Sequence, residues 1–243
     1  MKKLSFFFFL LLLTSPSFAA PTFDATATAT GVGVSTLSVN LTVGGGCTNP
    51  IVIADIPWSM SGIGSITALT IGGSVGTFIN GVSPGSAAID RRIEMWRRVG
   101  VSIGSNSVQA DMSATAAYIS VSARSYCGVD QATPTGTSAT ADNNGNNAIA
   151  TVDVTSASGE LVVDSVMTAG ATAALTVGAG QTQRVNDATH AGIFLFGSSD
   201  EAGAGTTTMS WTTDTDDYTG IVAVPLKPAA AGATVRRKVI VIQ

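Results

Sequence analysis

Among the residues able to do chemistry, histidine is the scarcest: His190 stands alone. A single imidazole excludes multi-histidine metal sites. It leaves a Ser-His-Asp arrangement open on paper, with Asp187 nearby, but no G-x-S-x-G elbow presents a nucleophilic serine. A lone loop histidine ordinarily sits at the surface. Glycoside hydrolysis needs two carboxylates about 5–10 Å apart across a cleft. The glutamates Glu94, Glu160 and Glu201 are scattered, with no pair at i, i+2 spacing in one strand.

Oxygen-rich runs come next. Asp214, Asp216 and Asp217 follow Trp211 in a segment that reads as a loop. Ca2+ takes several hard oxygens of this kind. The run lacks the glycine and distal glutamate of an EF-hand loop, and the plainer reading is a hydrated acidic turn. Asp142–Asn147 is a second such run. Beyond this Ca2+ option no cofactor is expected. Trp58, Trp96 and Trp211 with Tyr118, Tyr126 and Tyr218 would give a sugar-stacking platform if exposed. Trp58, beside Pro57 at a strand end, is the foremost candidate for glycan contact, joined by Tyr126 and Tyr218. Trp211 shares a strand face with Met209 and reads as core.

The two cysteines, Cys47 and Cys127, follow and precede glycines at the ends of strand-like runs. An even count permits one disulfide in an oxidising compartment. If the flanking strands pair antiparallel, the start of one lies beside the end of the other.

Charge restricts the partners. Charged residues are 12% of the chain, about half the usual share. From Ala20 to Pro228 the basic residues are Arg91, Arg92, Arg97, Arg98, Arg124, Arg184 and Lys227, against all sixteen acidic ones. A nucleic-acid surface needs a basic stripe, so none is expected.

The elements that must position these residues read as strands. Met1-Lys2-Lys3, an apolar run to Leu13 and a small-residue stretch ending Ser17-Phe18-Ala19 resemble a secretory leader, with cleavage expected after Ala19. The run is too short for a membrane anchor, and no other span follows. Thereafter Thr and Val abound, and β-branched side chains favour the pleated sheet. Strands are expected over 28–43, 51–56, 66–71, 116–126, 148–154, 160–167, 182–185, 193–196, 207–211 and 220–226. Asn80-Gly81 predicts a two-residue hairpin turn. Residues 87–99 fit helical and strand periods equally. Turn signals recur at the spacing of a sandwich or barrel, about 8–12 residues. The expected fold is all-β, a single antiparallel sandwich over 20–228, followed by a linker and terminal strand over 229–243.

Several segments carry a resemblance. Ser125-Tyr126-Cys127-Gly128-Val129-Asp130-Gln131-Ala132-Thr133-Pro134 resembles an S-x-x-G-V-D-Q-x-T-P segment of secreted bacterial and phage-associated surface modules. Glu160–Asp164, Gly178–Arg184, Met209–Trp211 and Ile221–Pro228 follow in the same order. Ile93-Glu94-Met95-Trp96 matches a strand of that set, which tips residues 87–99 toward strand. The resemblance covers about Leu37 to Pro228 and implies a jelly-roll-like sandwich without assigned chemistry. The cysteines and the segment after Pro228 fall outside its pattern.

That last segment sharpens the functional expectation. Arg236-Arg237-Lys238 leads into Val239, Ile240, Val241 and Ile242 on a small-residue linker. So apolar a strand fits self-association by β-strand addition, with its basic start drawn to an acidic body; pairing with an edge of its own domain is the alternative. The expectation is an exported, non-enzymatic structural or adhesive subunit at the cell surface. The competing expectation is a carbohydrate-binding module.

Overall fold

The structure, a computed structural model, describes residues 19–62, 64–85, 90–143, 147–170 and 174–230. The expected leader, apart from Ala19, and the strand Val239–Ile242 lie outside the described residues. Among the described residues every regular element is a strand, and every pairing is antiparallel.

The first half of the chain builds one sheet around a long ribbon. β1 (Thr22–Val43) pairs with β7 (Gly104–Cys127) from Thr22 opposite Cys127 to Val43 opposite Gly104. The ribbon bends near its middle, where Gly33 takes φ +65° and the register shifts between Val34 and Thr36. A left-handed φ and a bulge are the ordinary means of turning a strand. The bend brings the ends of β1 back together, so that the Gly44 amide donates to Asp24 Oδ2 at 2.9 Å. β2 (Ile51–Met60), β3 (Ile66–Ile71), β4 (Ser74–Val75), β5 (Thr77–Val82) and β6 (Asp90–Val99) complete the order β4-β3-β7-β2-β6-β5. The curled, barrel-like sheet encloses Leu41, Val43, Val52, Ala54, Ile56, Trp58, Leu69, Ile71, Val108, Ile119 and Val121.

The second half adds two sheets. β8 (Ala139–Asp142), β10 (Leu161–Thr168), β12 (Thr182–Asp187), β13 (Phe196–Ala202) and β15 (Thr219–Leu226) form the order β12-β13-β10-β15-β8. β9 (Asn147–Thr155), β11 (Leu175–Val177) and β14 (Thr206–Asp217) form β11-β14-β9. These two sheets stack over Val152, Val154, Val162, Val166, Leu195, Met209, Trp211, Ile221 and Ala223. Met209 and Trp211 thus share the core, as their alternation predicts.

The halves join face to face. Ile51, Ile53, Met95 and Tyr126 of the first sheet meet Val163, Val222, Val224 and Leu226 of the second. β2 therefore lies between two packed layers, and all ten of its residues are buried. The expected sandwich is present, with the curled sheet stacked against it.

Two local expectations are corrected, and the strand reading of the ambiguous segment holds over its described residues. Asn80-Gly81 makes no hairpin: it lies inside β5, beside a register shift, and Asn80 Oδ1 accepts the Gly81 amide. Residues 193–195 precede β13 rather than forming a strand, with Ile193 and Phe194 tied to the His190 carbonyl by their amides. Residues 90–99 are strand throughout.

Candidate functional site

Cys47 and Cys127 form a disulfide with Cα atoms 5.1 Å apart. Antiparallel pairing of Ile51 with Tyr126 places them side by side, as expected. The bridge ties the loop that links β1 to β2 to the end of β7. Its neighbour Asp24 converges with the two sulfurs, the one such cluster of possible metal ligands among the described residues. With both sulfurs in the disulfide, that trio offers a metal a single carboxylate.

The aromatic candidates are corrected by burial. Trp58 and Tyr126 are fully buried, Trp58 within the curled sheet and Tyr126 between the halves. Neither presents a ring to a sugar. Tyr218 is half-buried against the turn at Gly85. The three do not converge on one surface.

The acidic run is strand rather than loop, at the end of β14. Pleating sends Asp214 and Asp216 to the solvent face and Asp217 inward. Asp214 accepts the Ala174 amide, and Asp217 accepts the Tyr218 amide at 2.7 Å. The Arg91 guanidinium, whose pKa burial lowers, is held up by Asp217 nearby. The three carboxylates do not gather into one oxygen cage. In the second run, Asn143 is spent on the backbone, accepting the Thr219 amide and donating to the Asn147 and Asp217 carbonyls.

His190 is buried, against expectation. Its Nε2 meets the Ile119 carbonyl at 3.2 Å, so that nitrogen carries the proton, and Tyr118 and Phe194 pack edge-on around the ring. Asp187 instead accepts Ser120 Oγ and caps the turn at Thr189. A nucleophile–base–orienter chain is therefore not assembled here. Above His190 lies an open cleft of about 440 Å³ lined by Thr30, Gly31, Val32, Tyr118 and residues 189–193.

The residues that sequence reasoning missed form a buried polar layer between the halves. Arg124 and Asp55 are both fully buried and pair at 2.8 Å. The same guanidinium donates to Tyr126 Oη, to the Ser199 and Asp164 carbonyls and to Ser165 Oγ. Tyr126 Oη donates onward to Asp200, which takes a bidentate pair from Arg184 at 2.6 and 2.9 Å. Arg184 in turn lies 4.1 Å over the Phe23 ring. Burial pushes the Asp55 carboxyl above its usual range, against the pull of Arg124. Burial is the strongest single influence on the Arg124 pKa and lowers it, but the Asp55, Tyr126 and Asp164 charges and the Asp55 hydrogen bond together outweigh it and the guanidinium ends raised. A guanidinium so enclosed and saturated knits layers together and leaves no donor for a ligand.

Below this layer, Asp164 of β10 faces the third sheet. Its Oδ1 accepts the Ser199 amide and hydroxyl at 2.7 and 2.8 Å, and its Oδ2 accepts Trp211 Nε1 at 2.8 Å and Gln181 Nε2 at 3.3 Å. Burial raises this carboxyl to about 6, with Ser199 and Trp211 holding it from rising further. Gly197 is required here, because a Cβ would sit 2.8 Å from the Trp211 ring.

The Asp130-Gln131 turn after β7 is a junction. Asp130 accepts the Thr133 and Ala132 amides, which hold its carboxyl below the usual range. Gln131 ties Gly100, Val129 and Pro50.

One feature faces outward. Among the described residues β1 pairs with β7 alone, so its other edge is unpaired over 22 residues. Native edges are ordinarily guarded by Lys, Pro or short length. β1 has no Lys, Arg or Pro, and its one charge, Asp24, is engaged with Gly44 and Ser125. Its irregularities fall at Phe23/Ala25 and Val34/Thr36, leaving Ala25–Val32 and Thr36–Val43 regular. No described helix is long and apolar enough to cross a membrane.

Comparison with protein-family models, with curated proteins and with solved structures returns no match for this chain.

Proposed function

We propose that this chain is an exported, non-enzymatic structural or adhesive surface subunit that assembles by β-strand addition. The unguarded edge of β1 carries the reading. An edge of this length offers backbone donors and acceptors to an incoming strand. Val239–Ile242 is the strand best suited to be added, from a second copy of the chain, and Arg236, Arg237 and Lys238 complement the acidic body. The disulfide suits an oxidising compartment. Removing Thr234–Gln243 is expected to abolish the solution oligomer; an oligomer unchanged by this truncation rejects the route.

A second reading keeps a carbohydrate-binding module but moves it from Trp58 to the cleft above His190, whose lining includes Thr30, Tyr118 and Thr189. Glycan-array binding that is lost in Tyr118→Ala favours this reading over the first.

A further inference from the structure

Four side chains from separate strands and turns meet beneath β13 in an arrangement suited to acyl transfer. Ser199 Oγ donates to Asp164 Oδ1 at 2.8 Å, which pairs a nucleophile with a base. Gln181, in the turn before β12, brings its carboxamide to the same spot. Its Nε2 lies 2.7 Å from Ser199 Oγ and 3.3 Å from Asp164 Oδ2. Its Oε1 accepts the Ser210 amide at 2.8 Å and faces Ser210 Oγ at 3.4 Å. The carbonyl is thus polarised by a fixed backbone donor, as an oxyanion site requires.

We infer that Ser199 and Gln181 condense into an intramolecular ester, with Asp164 as the proton carrier. Ser199 Oγ attacks Gln181 Cδ, and Asp164 takes the hydroxyl proton. The Cδ–Nε2 bond then breaks, Asp164 returns the proton to Nε2, and ammonia leaves. One C–O bond replaces one C–N bond, and no oxidant or co-reactant is consumed. The reaction is a single event of the chain on itself, independent of the assembly reading above.

The surroundings favour this chemistry over a simple hydrogen-bonded bridge. The amide carbon is one bond from Nε2, and a small change in the χ1 and χ2 torsions of Gln181 moves Cδ toward Oγ. Asp164 and Ser199 are fully buried, which keeps water from intercepting the acyl group. Gln181 is half-buried at the rim, which gives ammonia a way out. Trp211 Nε1 fixes the carboxylate from the far side. Gly178 makes room for the carboxamide: a Cβ there would lie 2.6 Å from Gln181 Oε1 and collide with Ser210 Oγ. A carboxyl near neutrality both accepts and returns a proton readily. The product would fasten the start of the edge strand β12 to β13 covalently.

Intact-mass spectrometry of the purified, reduced full chain tests this directly. The expected mass is about 17 Da below that of the sequence from its measured N-terminus, one ammonia lost. Trypsin should then release the peptide ending at Arg184 joined to the peptide 185–236, since Lys227 precedes Pro228 and is not cut, and hydroxylamine should separate them. Ser199→Ala should restore the full mass while keeping a β-type circular dichroism spectrum. If Ser199→Ala does not fold, the joined peptides in the wild-type digest decide alone. A wild-type chain at full sequence mass overturns the inference, as does a mass deficit that persists in folded Ser199→Ala.

Discussion

Arg124 of β7 and Asp55 of β2 form an ion pair at 2.8 Å with no solvent exposure on either side chain. They sit on adjacent strands, Arg124 opposite Ile53 and two positions from Asp55. Their environment is the seam between the curled sheet and the sandwich. A buried pair of this kind contributes little over an apolar replacement, but losing one partner leaves an uncompensated charge.

Arg124→Met is therefore expected to cost about 3–5 kcal/mol in urea unfolding. Adding Asp55→Leu should recover only part of that. Arg124 also serves the Ser199 and Asp164 carbonyls, which stay orphaned in the double variant. Full recovery would show that those carbonyl contacts contribute nothing.

Trp58→Ala empties a core position rather than a binding surface. The expected loss is about 3–5 kcal/mol of stability. Any weakening of glycan binding should track the unfolded fraction. A folded Trp58→Ala chain with selectively lost glycan binding would contradict the placement of this ring.

The disulfide spans 80 residues. On the chain-entropy model such a loop is worth about 4–5 kcal/mol. Replacing both Cys47 and Cys127 by Ala should lower the urea midpoint and steepen the slope, because the denatured chain without the crosslink exposes more surface.

Asp164 sets a pH dependence. Its carboxyl is raised to about 6 in the folded chain by burial, above its unfolded value of 3.8. The folded state thus binds the proton more tightly than the unfolded one. Its contribution to stability is complete below the unfolded value and is lost as pH rises through about 6. Asp55, raised by burial as well, acts in the same sense. Between pH 4 and 6, roughly the range set by these values, unfolding free energy should fall more steeply in the wild type than in Asp164→Asn. Equal slopes would contradict the assignment.

Much of the fold is legible in the sequence because alternation survives where one strand face meets a core. Along β9 buried and exposed residues alternate from Ala150 to Thr155, and its Val152 and Val154 stand out among small polar residues. Alternation fails where a strand is covered twice. Ser120, Ser122 and Arg124 look like a solvent face beside Ile119, Val121 and Ala123, yet all six are buried because the second sheet covers them. The same covering hides Tyr126. The only local sign of the polar layer is an arginine within the inward-facing end of β7. The carboxylates it needs come from distant elements, 69 residues away for Asp55. His190 misleads for a similar reason, since Tyr118, which helps enclose it, is far off in sequence. Asn80-Gly81 carries a hairpin signal, but tertiary pairing with β6 runs straight through it and absorbs the conflict in a bulge.

The claim that matters most is that the free edge of β1 receives the terminal strand of another copy. Amide hydrogen exchange, compared between the full chain and a chain ending at Ala233, tests it at the residues concerned. The full chain should show slowed exchange over Thr36–Val43 or Ala25–Val32 that grows with concentration. The truncated chain, and a Ser38→Lys/Asn40→Lys variant if the slowed stretch is Thr36–Val43, should lose that slowing. Exchange along β1 that is identical in the full and shortened chains at every concentration would contradict the account.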